Sequence, residues 1–75
     1  MAERCVVTGG AGVIGTQLVE QLVARGDSVR VIDLLERPAS MPDAVDFVQG
    51  DLVEVGPAAL SSFDPTLVFH LAASF

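Results

Sequence analysis

Short apolar runs and one longer amphipathic segment alternate along this chain, separated by glycine, proline and acidic positions. Within Arg4 to Thr8 the run Cys5-Val6-Val7 has no polar interruption and stops at a cluster of glycines, the pattern of a strand covered on both faces. From Val13 to Arg25 the period lengthens to that of a helix, with Ile14, Leu18 and Leu22 four apart and Val19 and Val23 beside them. Arg25 suits the negative end of the helix dipole, and Gly26 is a natural residue to follow the cap. Ser28 to Asp33, rich in Val and Ile, predicts a second strand. Leu34 to Ala44 has no period, and Pro38 and Pro42 deny it a long helix. Its length is close to the dozen or so residues that a crossover between parallel strands uses. Val45 to Gln49 predicts a third strand, closed by Gly50 and Asp51, and Pro57 to Ser62 a short helix with proline in its first turn. Asp64-Pro65 is turn chemistry, and Leu67 to Ala72 predicts a fourth strand, apolar except at His70.

Strand, helix, strand, irregular crossover, strand, short helix, strand is the order of an α/β fold: a Rossmann-type parallel sheet of about four strands with right-handed crossovers. The chain stops just after the fourth strand, a little past the first mononucleotide half of a doubly wound fold. Residues 1–75 are therefore expected to be the N-terminal part of a dinucleotide-binding domain.

Composition narrows what such a domain can do. The four cations among the 75 residues are Arg4, Arg25, Arg30 and Arg37, so there is no lysine, and there is no tyrosine or tryptophan. Chemistry that relies on a tyrosine acid, a Schiff-base lysine or a phosphate-gripping lysine is excluded for these residues alone. A net charge of −6 argues against nucleic acid as a partner, because phosphate-backbone binding needs clustered Lys and Arg. The single Cys5 makes neither an internal disulfide nor a multi-cysteine metal site. No apolar run approaches the ~20 residues of a membrane span. Glu3 and the glycines break the apolar N-terminal stretch that a signal peptide requires, so a cytoplasmic protein with no membrane partner is the expectation. A core of this size leaves a stability surplus of only about 3–5 kcal/mol.

Thr8-Gly9-Gly10-Ala11-Gly12-Val13-Ile14-Gly15 lies where the first strand passes into the first helix. Gly9 permits the tight turn, Gly12 lets the backbone approach a phosphate, and Gly15 lets the helix pack closely on the sheet. With no lysine available, the helix N-terminal N–H groups and their dipole would hold the anion. Asp33 ends the second strand eighteen residues beyond Gly15 (33 − 15). An acid there accepts both hydroxyls of an adenosine ribose and repels a 2′-phosphate, which favours NAD over NADP. Arg37, just past that strand, is the one neighbour that could receive a 2′-phosphate.

The glycine spacing is three and three rather than two and three. Together with Asp33, Gly50-Asp51-Leu52 and His70-Leu71-Ala72-Ala73, the turn resembles the N-terminal third of an extended short-chain dehydrogenase/reductase, and within that group the NAD-dependent epimerase/dehydratase family. The resemblance covers essentially the whole chain. It implies a phosphate turn made by Gly9, Gly12 and Gly15 with backbone contacts from Ala11, Val13 and Ile14, and a ribose held by Asp33. It implies an adenine bordered by Asp51 and Leu52, and Leu71, Ala72 and Ala73 passing beneath the cofactor toward the nicotinamide. It also implies hydride transfer to NAD, with nucleotide sugars the commonest substrates. The Ser or Thr, Tyr and Lys that carry protons in this family have no counterpart here and would lie beyond Phe75, in the remainder of the parent enzyme.

Other readings stand beside these. Asp51 read without the resemblance caps or terminates an element. His70 reads as a packed strand histidine and Cys5 as a small core residue, while Phe47, Phe63 and Phe69 read as core. A non-enzymatic module that self-associates through the edge of the fourth strand is the alternative to a cofactor-binding part.

Overall fold

The computed structural model describes residues 2–71. Four strands and two helices follow in the order β1 (Arg4–Thr8), α1 (Val13–Ala24), β2 (Ser28–Asp33), β3 (Asp46–Gln49), α2 (Leu52–Phe63) and β4 (Leu67–His70). The strands form one parallel sheet in the order β3-β2-β1-β4. From β1 the chain steps outward through β2 to β3, then returns to the other flank of β1. The direction of winding therefore reverses between β1 and β4, and the carboxyl ends of the strands open there into the crevice where α/β sheets bind ligands.

Each face of the sheet has its own core. Cys5, Val7, Val29 and Val31 point toward Val19 and Leu22 of α1, and Met41 and Val45 from the crossover complete that layer. Val6 and Ile32 point the other way, toward Ala59 of α2. Because β1 is covered on both sides, its apolar residues run without alternation although its side chains alternate. Val6, Val7, Val19 and Val31 have no solvent exposure, and burial of each contributes roughly 1.5–3 kcal/mol. β4 differs: Val68 is 56% exposed, and His70 also lies open.

The first two strands match expectation residue for residue, and the other elements depart from it in ways that have physical causes. α1 ends at Ala24 in a Schellman arrangement, with Gly26 N–H donating to the Val23 carbonyl and Asp27 N–H to the Leu22 carbonyl. Ile14, expected on the apolar face, is 74% exposed at the head of the helix. The crossover folds into two successive turns, Met41 N–H donating to the Pro38 carbonyl and Val45 N–H to the Pro42 carbonyl, so β3 begins at Asp46 rather than Val45.

The largest departure is α2, which starts at Leu52 rather than Pro57 and carries the proline inside it. Gly56 precedes that proline and has no Cβ to meet its ring, and the proline forfeits only the one bond its own N–H would make. β4 closes at His70, with Leu71 N–H still donating to the Thr8 carbonyl at 2.8 Å. Ala72 lies outside the described residues. His70 is exposed rather than packed, because β4 flanks the sheet with no neighbour on its far side among those residues. Phe47, Phe63 and Phe69 are half-buried, each against one of the two cores. Among the described residues no helix is long and apolar enough to cross a membrane.

Candidate functional site

The glycine turn is built by close backbone packing. Gly9 adopts a φ of 76°, and its N–H donates to the Ile32 carbonyl at 2.9 Å, which carries the chain off β1 and over β2. A Cβ on Gly15 would sit 2.6 Å from Gly10 Cα and 2.8 Å from the Gly9 carbonyl oxygen, so α1 packs directly on the turn. A Cβ on Gly10 would meet Val31 Cγ1 at 2.8 Å. The glycine spacing predicts that Gly15 packs on the sheet and assigns Gly10 no part, whereas in the structure Gly15 meets the turn backbone and Gly10 meets the sheet. Only the knowledge that Val7 and Val31 rise under the turn reveals this.

Gly12 has the opposite surroundings. It is the N-cap of α1, extended at φ −78° and ψ 178°, and a Cβ there would meet nothing within 4 Å. No side chain caps the helix and its first turn holds no acid, so the orphan N–H groups of the first turn and the positive end of the dipole face outward. Val13 and Ile14 stand exposed on either side of that opening.

Asp33 is bound into the turn. Its Oδ2 accepts from Ala11 N–H at 2.9 Å and its Oδ1 from Leu35 N–H at 3.0 Å, so one carboxylate joins the glycine turn to the start of the crossover. Each oxygen keeps a lone pair for a further donor. Asp51 caps α2, its Oδ1 accepting from Val53 N–H at 2.9 Å. The capping role that sequence alone favoured for it is therefore present, and its second oxygen is left for another contact.

A cleft of about 610 Å³ brings Gly9, Gly12, Asp33, Asp51, Leu52 and Leu71 together, within the range of small-molecule sites. Of the other expected residues, Val13 borders a shallower hollow across the turn, Gly15 lies behind it, and Ala72 and Ala73 fall outside the described residues. The cations are all engaged elsewhere. Arg4 pairs with Asp64, Arg25 with Asp27 and Arg30 with Asp46, while Arg37 donates to the Val45 and Pro42 carbonyls. The charges at the cleft are thus two carboxylates and the open pole of α1. Such a site receives an anion at the pole and hydroxyl or amine donors at the acids.

At the opposite end of β1 lies a cluster that the sequence did not disclose. Asp27 is buried, accepting from Glu3 N–H at 2.9 Å and Arg25 Nε at 2.7 Å. These two bonds hold its carboxyl below the usual carboxylate range. Burial and the neighbouring Asp27 charge push the Cys5 thiol up, in keeping with a core residue rather than a nucleophile. Nearer the cleft, Thr8 Oγ1 and His70 Nδ1 are 2.6 Å apart, a pair set by their register on β1 and β4.

The profile of the NAD dependent epimerase/dehydratase family matches residues 5–75. The chain is 36% identical over 81 residues to dTDP-L-rhamnose 4-epimerase of Burkholderia thailandensis, covering 95% of this chain and 22% of that one. It is 39% identical over 72 residues to sterol-4-alpha-carboxylate 3-dehydrogenase, decarboxylating, of Bos taurus, covering 96% and 20%. The fold superposes with a TM-score of 0.83 on UDP-glucose 4-epimerase of Thermus thermophilus, solved in complex with NAD, at 44% identity over 95% of this chain and 24% of that one. The chain therefore spans about a fifth to a quarter of the length of these relatives.

Proposed function

Because the chain belongs to the NAD dependent epimerase/dehydratase family, we propose that its cleft receives the adenosine diphosphate half of NAD and that residues 1–75 are the N-terminal, cofactor-binding part of an enzyme of this group acting on a nucleotide sugar. The observation that carries this reading is the uncapped N-terminus of α1 opening onto the same cleft as Asp33, Asp51 and Leu52.

The first-turn N–H groups from Gly12 to Gly15 bind the pyrophosphate, and the helix pole supplies the positive potential that no side chain provides there. Asp33 accepts the ribose hydroxyls while its bonds to Ala11 and Leu35 keep the turn in place. Asp51 borders the adenine amine, and Leu52 lies against the ring. Leu71, just past the end of β4, leads toward the nicotinamide. Bound NAD would supply the hydride acceptor. The chain has neither Tyr nor Lys, so these residues bind and orient the cofactor while the proton-transfer residues come from the remainder of the enzyme. That remainder would cover Leu67 and Val68, exposed along β4. A cytoplasmic setting that keeps Cys5 a thiol belongs to the same reading.

Thermal unfolding with and without NAD tests it. Ligand at 100 times its dissociation constant stabilises by about 2.7 kcal/mol, and each kcal/mol moves the midpoint by about 4–8 °C at this size. A shift of about 10–20 °C is expected. A folded sample, verified by circular dichroism, that shows no shift in millimolar NAD or ADP would sink the reading.

A further inference from the structure

Arg37, four residues past Asp33, is the one cation that meets no carboxylate among the described residues, and its place just after β2 makes it the candidate receptor for a phosphate on the adenosine 2′-hydroxyl. Its guanidinium is nevertheless engaged. Nη1 donates to the Val45 carbonyl at 2.7 Å and Nη2 to the Pro42 carbonyl at 2.5 Å. Those two carbonyls belong to the second of the crossover's turns, whose Val45, with Met41 from the turn before, is fastened into the α1-side core. Arg37 therefore spans the loop from its exposed start to its buried end. The stretch between Asp33 and Arg37 includes Leu34 and Leu35, which line the cleft, so the same clasp fixes one wall of the nucleotide site. Releasing the guanidinium toward a ligand would leave two backbone carbonyls without their donor and unfasten that wall.

We propose that Arg37 is a positioning residue for the crossover wall, and that its engagement withholds the cation that follows β2 from the ribose 2′ position. Discrimination against a 2′-phosphorylated adenosine then has two parts, repulsion by Asp33 and the absence of an available cation. This rests on the cofactor reading above, but concerns which nucleotide is refused rather than whether one binds.

The probes are ADP and its 2′-phosphorylated form, adenosine 2′-phosphate 5′-diphosphate, titrated calorimetrically into the chain and its variants. Asp33→Asn removes the repulsion and leaves Arg37 untouched. The expected result is a preference for ADP that shrinks from at least about tenfold toward parity, without reversing. A reversal, with the 2′-phosphorylated ligand about tenfold tighter, means Arg37 has turned to the phosphate and overturns the proposal.

Arg37→Met, made in both backgrounds, is expected to weaken the two ligands by the same factor, because the wall loosens for both. Arg37→Gln, which keeps an amide donor for one carbonyl, is expected to restore part of that loss. Selective weakening of the 2′-phosphorylated ligand by Arg37→Met in the Asp33→Asn background overturns the proposal. If the Met variant does not fold, the Asp33→Asn ratio decides by itself. Failure of the cofactor reading is distinguishable from all of these, since neither ligand would then bind the folded wild-type chain.

Discussion

The two helices begin in the same kind of place, just beyond the carboxyl end of a strand, and their first turns are finished in opposite ways. At α2 the cap is Asp51, its carboxylate accepting Val53 N–H, and Glu54 adds a second negative charge to the first turn. At α1 the cap is Gly12, with no side chain to accept anything and no acid in the turn. A capping side chain contributes about 1 kcal/mol in comparison with alanine, an appreciable share of a surplus of about 3–5 kcal/mol. With glycine at its cap α1 forgoes only a few tenths of a kcal/mol of that contribution, and its other end is sealed by the Schellman turn. The open pole and the closed one flank the same cleft, and on the reading proposed above the contrast between them separates the end for the pyrophosphate from the end for the adenine.

The largest effect should come from breaking the packing that holds the open pole in position. Gly15→Ala places a Cβ 2.6 Å from Gly10 Cα, where neither backbone can yield. A loss on the order of 3 kcal/mol is expected by analogy with overpacked cores, readable in urea unfolding as a chain at the limit of folding. A stability change under about 0.5 kcal/mol, the range of an ordinary surface substitution, would show that α1 does not need that contact.

Closing the open pole should separate stability from binding. Gly12→Asp has room for its side chain and gives α1 the cap that α2 already has. Stability should rise by a few tenths of a kcal/mol. NAD affinity should fall at least tenfold, about 1.4 kcal/mol, as measured by titration calorimetry. Unchanged affinity would mean that the pyrophosphate does not use this helix end.

Opening the closed pole is the reciprocal change. Asp51→Ala should lower stability by about 1 kcal/mol in thermal or urea unfolding. It should weaken ADP only modestly, because the remaining adenine contact comes from Leu52. A loss of ADP affinity as large as that of the Gly12 variant would show that Asp51 holds the ligand rather than the helix.

The smallest effect lies at the far end of the sheet and serves as a control. Asp27 has a lowered carboxyl pKa, so its contribution to stability is present above the ordinary carboxylate value near 3.8 and is lost as pH falls through its lower folded value. Wild-type stability should decline on that acid limb, and Asp27→Asn should flatten the decline without altering NAD affinity at neutral pH. A Gly12 variant should keep the full decline, since the two regions share no contact.

What could be read before the structure follows from burial. β1 and β2 are covered on both faces, so their Val and Ile runs had one interpretation and their limits were legible to the residue. β3 and β4 are four residues each and partly exposed, so their limits shifted by one or two positions. The start of α2 was obscured because Pro57 looks like a first-turn proline. It lies deeper in the helix, where Gly56 before it removes the Cβ that its ring would meet. In the site, Gly9, Gly12 and Asp33, placed by their spacing, and Asp51, Leu52 and Leu71, placed by the resemblance, line one cleft, since each lies at or just beyond the carboxyl end of a strand of one parallel sheet and all strand ends point the same way.

Composition and order along the chain thus determined the α/β class, the place of the glycine turn, the acid at the end of β2 and the lack of any lysine to grip a phosphate. Those are properties of local pattern and count, and no contact is needed to state them. The tertiary structure alone decided that Gly10 rests on Val31, that Gly15 bears on the turn, that Asp33 ties the turn to the crossover, and that Arg37 is held by two backbone carbonyls. Each of these depends on which side chains meet across elements far apart in sequence, and meetings of that kind are set by how the two cores pack, which local periodicity does not encode.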